Sequence, residues 1–444
     1  MKKIYKISLM VACMSMMYTG LNAQDLIIDA ELRPRVELRN GFQKPLYDTQ
    51  NPAIPVLQRS RIGFTYTSHR LDMKVTFQDA RVWGQTNTEA IHTGNFGLFE
   101  AWAGIRFGKY STIRVGRQGL KYDNNRLFSL TSWTNYGKSH DLALYKFDNR
   151  NVGLKIDMGL AYNNPATIKN YALAYDVSKI YQEMSFLHLE KSLGKNGMKA
   201  SAIFVQERFQ DEIATSGDPI NYHRFTTGAN LELNSKDNPF GFILTGYYQF
   251  RKGKVTPAVG YPGDLSAYFI AANVRYRFFD SFGLNLGADM YSGTSADDNS
   301  GTSHTWQKLY GSNHSFNGSM EYWRDIKDYG LSDFYMTAFG NITNNLSAQL
   351  CGHAFLTNNS YKYDGVNTLD AGSYLGAEVD IDFSWKIMKY VKCDFGYSYY
   401  FASNQTYQVK GMNPTNDYRY PQWAFVSLTI NPELFNSRHF QRNK

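Results

Sequence analysis

Between Asp25 and Asn40 the chain reads D-L-I-I-D-A-E-L-R-P-R-V-E-L-R-N, with Asp29, Glu31, Arg33, Arg35, Glu37 and Arg39 on odd positions and Ile28, Ala30, Leu32, Pro34, Val36 and Leu38 on even ones. Side chains alternate between the faces of a strand, so this spacing predicts a strand with a charged face backed by an apolar one. The pattern recurs along the chain. Val152, Leu154, Ile156, Met158 and Leu160 are set against Lys155 and Asp157, and Ala377, Val379, Ile381 and Phe383 against Glu378, Asp380 and Asp382. A polar face turned to a wet interior and an apolar face turned to lipid is the arrangement of a membrane barrel.

Segments of this kind occur near 26–40, 58–68, 71–82, 98–107, 111–118, 139–147, 151–162, 184–193 and 198–208, and then near 222–234, 240–251, 267–278, 282–292, 331–341, 346–356, 373–386, 390–402 and 421–430. Alternation is weakest at 139–147, 184–193 and 331–341. Short connections such as His69-Arg70, Asp280-Ser281 and Thr343-Asn344-Asn345 alternate with long polar ones near 41–57, 83–97, 119–138, 163–183, 209–221, 252–266, 293–330, 357–372 and 403–420. That asymmetry separates periplasmic turns from outer loops, and an even strand number puts both termini on the periplasmic side. The expected fold is all-β, a transmembrane antiparallel β-barrel of about 18 strands, forming one domain over 24–444.

Lys2, Lys3 and Lys6 precede the apolar run Ile7 to Tyr18, and Leu21-Asn22-Ala23 supplies a small residue for cleavage, so residues 1–23 read as a secretory signal. A lipid-attachment reading at Val11-Ala12-Cys13 competes, but the apolar run continues through Met14, Met16 and Met17. Removing three lysines takes the formal charge from +8 to +5, a mild excess that gives no reason to expect a nucleic-acid partner. No later stretch approaches the roughly 20 apolar residues of a spanning helix, and the mean hydropathy is −0.45. Aromatic residues make up 16% of the chain, which suits interfacial girdles; Tyr162, Tyr247, Tyr248, Phe278, Phe279, Trp385, Tyr399, Tyr400, Phe401 and Trp423 are placed there. Cys351 and Cys393 fall on strands separated by one other and on opposite faces, roughly 9 to 10 Å apart, too far for an unstrained bridge.

On the expected inner face, arginines dominate the basic side chains. Arg33, Arg35, Arg59 and Arg61 gather on the first two strands, with Arg114 further on and Arg275 and Arg277 near the middle; Glu378, Asp380 and Asp382 form an acidic row. Guanidinium forks match carboxylate or phosphate, so opposed basic and acidic walls would set a transverse field selecting polar or anionic solutes. The alternative is that these charges pair with one another across strands. The longest connection, Gly293 to Gly330, carries Trp306, Leu309, Tyr310, Phe316, Met320, Tyr322 and Trp323, too many apolar groups to leave in water. It is expected to fold into the lumen and bring Asn313 and His314 to the narrow point, the alternative being a lid over neighbouring loops.

Other chemistry is weak. Ser139-His140-Asp141 places catalytic residue types in sequence, but successive strand residues face opposite ways and cannot form a relay. Asp297, Asp298, His304 and His314 have no diagnostic ligand spacing. No phosphate loop, zinc motif or dinucleotide fingerprint is present, so no cofactor and no metal is expected.

Several segments resemble the alginate export family of outer-membrane porins in its Bacteroidota form. They are Leu32-Arg33-Pro34-Arg35-Val36-Glu37, Gln58-Arg59-Ser60-Arg61-Ile62-Gly63-Phe64, Gln78-Asp79-Ala80-Arg81-Val82-Trp83-Gly84, Val115-Gly116-Arg117-Gln118 with Tyr122-Asp123-Asn124-Asn125-Arg126-Leu127, and Leu309-Tyr310-Gly311-Ser312-Asn313-His314. The resemblance implies an eighteen-stranded barrel in the outer membrane of a Gram-negative bacterium. The expected function is passive passage of an anionic or polar oligo- or polysaccharide, alginate-like, without catalysis. A general small-solute porin and, from another class, a barrel hydrolase are the alternatives. One departure is the C-terminus: many barrels end on an aromatic residue of the last strand, whereas here Asn431 to Lys444 follows the last clear strand. Either this tail is a periplasmic extension or the final strand lies further on.

Overall fold

In a computed structural model, the protein is described over residues 24–85, 96–163, 180–194, 196–212, 219–235, 237–253 and 263–438. The expected signal segment, 1–23, lies outside the described residues.

One continuous antiparallel sheet closes on itself. Its wall strands are β1 (Asp25–Asn40), β2 (Val56–Thr67), β3 (Leu71–Val82), β4 (Phe96–Phe107), β5 (Ser111–Gln118), β6 (His140–Asn149), β7 (Leu154–Tyr162), β8 (Glu183–Leu193) and β9 (Met198–Glu212). The circuit continues through β10 (Pro219–Leu233), β11 (Phe240–Arg251), β12 (Asp264–Phe279), β13 (Phe282–Tyr291), β14 (Leu331–Asn341), β15 (Leu346–Leu356), β16 (Tyr374–Met388), β17 (Val391–Ala402) and β18 (Gln422–Ile430). Each pairs with the next, and β18 closes the circle against β1, with Leu32 opposite Ile430 and Asn40 opposite Gln422. All eighteen expected strands are present, the three weakly alternating ones included. Closure matters energetically, because in lipid every backbone N–H and C=O must find its partner within the protein.

The tail resolves into a continuation of the last strand. After Asn431-Pro432, residues Glu433–Asn436 return to β1, with Phe435 opposite Ile28 and Asn436 opposite Ile27. Proline has no amide hydrogen to give the ladder, which accounts for the break; its carbonyl still accepts from Ala30 N at 3.0 Å.

Faces follow the sequence. On β1, Leu32, Val36 and Leu38 are exposed at 40%, 43% and 37%, while Arg33, Arg35 and Glu37 are buried inside. Not all aromatics join the girdles: Tyr248, Phe278 and Trp385 face outward, Phe279 lines the inner cavity near the short turns, and Tyr247, Tyr400 and Trp423 point inward and are buried. Cys351 is on the inner face beside Asp380, and Cys393 is opposite Trp385 on the outer one; both thiols are free.

Candidate functional site

Two long connections enter the barrel. The 292–330 loop folds inward, burying Trp306, Leu309, Met320, Tyr322, Trp323 and Tyr329. The 119–139 loop, expected from its sequence to be an outer connection, does the same with Leu120, Leu127 and Phe128. Burying each large apolar side chain is worth about 1.5–3 kcal/mol, so a handful holds a loop inside against its lost freedom. Their inner-wall partners are apolar too: Leu142 and Leu144 on β6, Phe186 on β8, Val205 on β9 and Phe269 on β12 belong to the same buried cluster.

Inside, the loops join. Tyr310 N donates to Leu127 O at 2.8 Å, Ser129 N to Tyr310 O at 3.2 Å and Ser312 N to Asn125 O at 3.0 Å. Lys138 Nζ reaches Gly311 O at 2.8 Å. Gly311 is required here, since a Cβ would lie 2.1 Å from Arg126 O. The imidazole of His314 stacks on Trp133, and this pair rests against Trp423 and Phe425 of β18. Together the loops form a septum inside the barrel.

The charged rows hold this septum. Arg33 donates to the carbonyls of Ser132 at 2.5 Å, Trp133 at 3.2 Å and Thr134 at 2.9 Å. Arg35 donates to Trp133 O at 2.7 Å, and Arg59 to Ser132 O at 3.0 Å and Thr134 O at 3.2 Å. Glu31 and Glu37 counter the charge, through Arg59 at 2.5 Å and Arg35 at 2.8 Å. Arg61 lies over Phe99 at 3.7 Å and donates to Gln78 and to Tyr136 O. On the acidic row, Glu378 accepts from Met320 N at 2.7 Å and Asp380 from Ser319 N at 3.4 Å. Gly318 precedes this turn at φ +82°, and a Cβ there would meet the Glu378 carboxylate at 2.6 Å. One loop thus offers carbonyls to arginines and the other offers amides to carboxylates.

Further pins come from the opposite wall. Tyr122 donates to Asp157 on β7 at 2.8 Å, Asp123 meets His188 on β8 at 3.0 Å, and Asn124 donates to Thr245 on β11 at 2.8 Å. Arg126 pairs with Asp289 on β13, donates to Tyr291 at 2.7 Å and lies 3.5 Å over Phe316. Tyr310 donates to Glu207, which Arg224 holds at 2.8 and 2.9 Å.

The remaining expected site residues are scattered. Arg114 lies over Trp102 at 4.3 Å. Arg275 and Arg277 hold the 234–239 turn, through Asn234 Oδ1 at 2.8 Å and through the carbonyls of Ser235 and Asn238 at 2.9 and 2.8 Å. Asp382 accepts from Gln349 at 3.0 Å. Asn313 is half-buried beside Lys308 and Phe316. The expectation of opposed basic and acidic walls is corrected: closure places β16 only three strands from β1, by way of β17 and β18, so the two rows flank one aromatic strip. The diametrically opposite strand to β1 in such a circle is β10.

Below the septum a cavity of about 810 Å³ runs from Trp133, His314 and Phe425 to the short turns at Asp280-Ser281 and Asn341. Among the described residues, no cluster of three or more His, Cys, Asp or Glu side chains has metal-binding geometry. Among the described residues, no helix is long and apolar enough to cross a membrane; this chain crosses with strands.

A closed barrel with an apolar outer band, short turns at one rim and inward loops at the other defines a channel of the Gram-negative outer membrane. The alginate export family matches residues 26–416, and the chain belongs to that family. Its fold is also similar to solved porins at low identity. OpdK from Pseudomonas aeruginosa is 12% identical with a TM-score of 0.61, covering 93% of this chain and 99% of its own. OccAB1 from Acinetobacter baumannii is 13% identical with a TM-score of 0.62, covering 92% and 97%. A BenF-like porin from Pseudomonas fluorescens Pf-5 is 12% identical with a TM-score of 0.62, covering 92% and 99%. No curated protein sequence matches significantly.

Proposed function

We propose that this channel passes carboxylate-bearing saccharides of the alginate-like class, singly or as short chains, by passive diffusion and without covalent chemistry. The observation that carries the reading is the septum beside the arginines of β1 and β2. It leaves spaces of ligand size, such as the 810 Å³ cavity, a volume suited to a small solute. Guanidiniums along the route favour carboxylates over neutral sugars. Family membership supports a uronate cargo, and a similar barrel, OpdK from Pseudomonas aeruginosa, was solved with vanillate.

A general small-solute porin is the second reading, favoured by the fact that Arg33, Arg35 and Arg59 are engaged with loop carbonyls. Liposome uptake of glucuronate against glucose separates the two. Faster glucuronate entry, weakened by salt, supports carboxylate selection; equal rates assign the arginines to holding the loop alone.

A further inference from the structure

The inner wall carries a second cluster, which shares only Asp380 with the contacts that pin the loops. Cys351 and His353 are two residues apart on β15 and share its inward face. The Sγ of Cys351 lies 3.2 Å from Nε2 of His353. The other ring nitrogen, Nδ1, lies 2.9 and 3.0 Å from the two carboxylate oxygens of Asp333 on β14. Thr337 Oγ1 is 3.0 Å from the sulfur, and Asp380 Oδ2 is 3.7 Å from Nε2. All five residues line the 810 Å³ cavity.

Each contact has a chemical consequence. A carboxylate on Nδ1 fixes the imidazole proton on that nitrogen and leaves Nε2 as a base towards the sulfur. A thiol becomes a nucleophile only as its thiolate, and the hydroxyl of Thr337 can then donate to the charged sulfur. We propose that Cys351 is a nucleophilic thiol, activated by His353 and positioned through Asp333, and a site of reversible modification by small disulfides that enter the cavity. The thiol proton passes to Nε2, and the sulfur bonds to one sulfur of the disulfide as the S–S bond breaks. The departing thiolate takes the proton back from His353. One disulfide replaces another, with no external oxidant.

The surroundings select the reagent. Asp289, Asp333, Glu378 and Asp380 face this cluster, Arg126 being the cation nearby and itself paired with Asp289. Close to the sulfur this field favours cationic or neutral disulfides over anionic ones, whereas Arg277 and Lys392 line the same cavity nearer its short-turn end. Cys393 on the outer face is the internal contrast.

The test uses the full barrel in detergent with Cys393→Ser, cystamine as the cationic probe and oxidised glutathione as the anionic one. Adducts are located by peptide mass mapping across a pH series. Cys351 is expected to react with cystamine at pH 6 at least ~10-fold faster than a cysteine at position 384 of the same cavity, because His353 takes the thiol proton as the sulfur attacks, and to prefer cystamine. His353→Gln and, independently, Asp333→Asn should remove this rate advantage; heat-dependent gel mobility confirms that each variant is folded. Ser384→Cys in a Cys351→Ser background lines the same cavity and reports reagent entry. Labelling at position 384 without labelling of Cys351 overturns the proposal. So does a Cys351 profile that matches position 384 and ignores both substitutions, and so does silence at both positions, since the site would then be closed to its reagent.

Discussion

The imidazole of His314 lies parallel to the indole of Trp133, with ring centroids 4.1 Å apart and planes 6° apart. Each ring belongs to a different loop, so the stack exists only while both loops are docked. Trp133 also lies under the guanidinium of Arg35 at 4.3 Å, which makes it the point where the basic wall, the aromatic strip and both loops meet.

Trp133→Ala should therefore loosen the septum while leaving the wall intact. Truncating a packed indole costs roughly 3–5 kcal/mol, taken here from loop docking. Single-channel conductance is expected to rise and grow noisy, with unchanged thermal unfolding of the barrel. Wild-type conductance in a folded Trp133→Ala channel would place the solute path elsewhere.

Gly311→Val tests the joint between the loops. A side chain there meets the Arg126 carbonyl at 2.1 Å, so the paired segments must separate. Deleting Ser295 to Ser312 removes one partner altogether and should raise conductance further. Both measurements belong in planar bilayers, where an unaltered current in either variant argues against constriction.

Replacing Arg33, Arg35, Arg59 and Arg61 with Gln has two expected effects. Hydrogen bonds from a charged donor are worth roughly 1.5–3 kcal/mol each, so the 119–139 loop should be released and conductance should increase. Anion preference, read from reversal potentials in a salt gradient, should fall. If conductance rises with selectivity intact, the arginines hold the loop and do not choose the solute.

Loop docking should also depend on pH through Lys308. Burial, with Arg126 nearby, pushes its amine down to about 7, and its Nζ has no hydrogen-bond partner among the described residues. An undocked lysine titrates near 10.4. Between about 7 and that value the docked state binds fewer protons, so docking strengthens as pH rises through this window and is insensitive below it. Lys138 and Lys410, each lowered to about 8 by burial, add effects of the same sign. Open-loop substates should be rarer at pH 9.5 than at pH 7, and Lys308→Met should weaken that difference.

Val36→Arg checks the wall itself. An arginine facing lipid costs about 2–4 kcal/mol at the membrane midplane and less towards the interfaces; Val36 lies four residues from the outer end of β1, so this substitution should destabilise the folded barrel in lipid vesicles by up to that amount. Indifference would mean that β1 does not face lipid there.

The wall was legible because its rule is local: a two-residue alternation, broken by turns, gives strand, face and number from neighbouring residues. It blurred where a strand's inner face packs on a loop, as at Leu142 and Leu144 or Met184 and Phe186, since both faces are then apolar. Entry of the 292–330 loop followed from its aromatic content. The same argument applied to Leu120, Leu127, Phe128 and Trp133 would have found its partner. Two features could not be read from spacing. That Arg33 grips loop carbonyls, and that the acidic row stands beside the basic one, both follow from closure, which brings the end of the chain against its beginning. The Cys351, His353 and Asp333 cluster was hidden for a related reason, because strand pairing joins positions 20 residues apart.

The pins of the septum also set an order of events. Asn124 meets a partner 121 positions away and Arg126 one 165 positions away, while Tyr322 reaches back 281 positions to Gly41. Contacts of such sequence separation form late, since the intervening chain must first be in place. The seam between β1 and β18 spans more chain still, Leu32 facing Ile430, so the septum and the closing wall both wait for the end of the chain. The narrow point belongs to the finished barrel, and its docking is tied to closure of the wall that holds it.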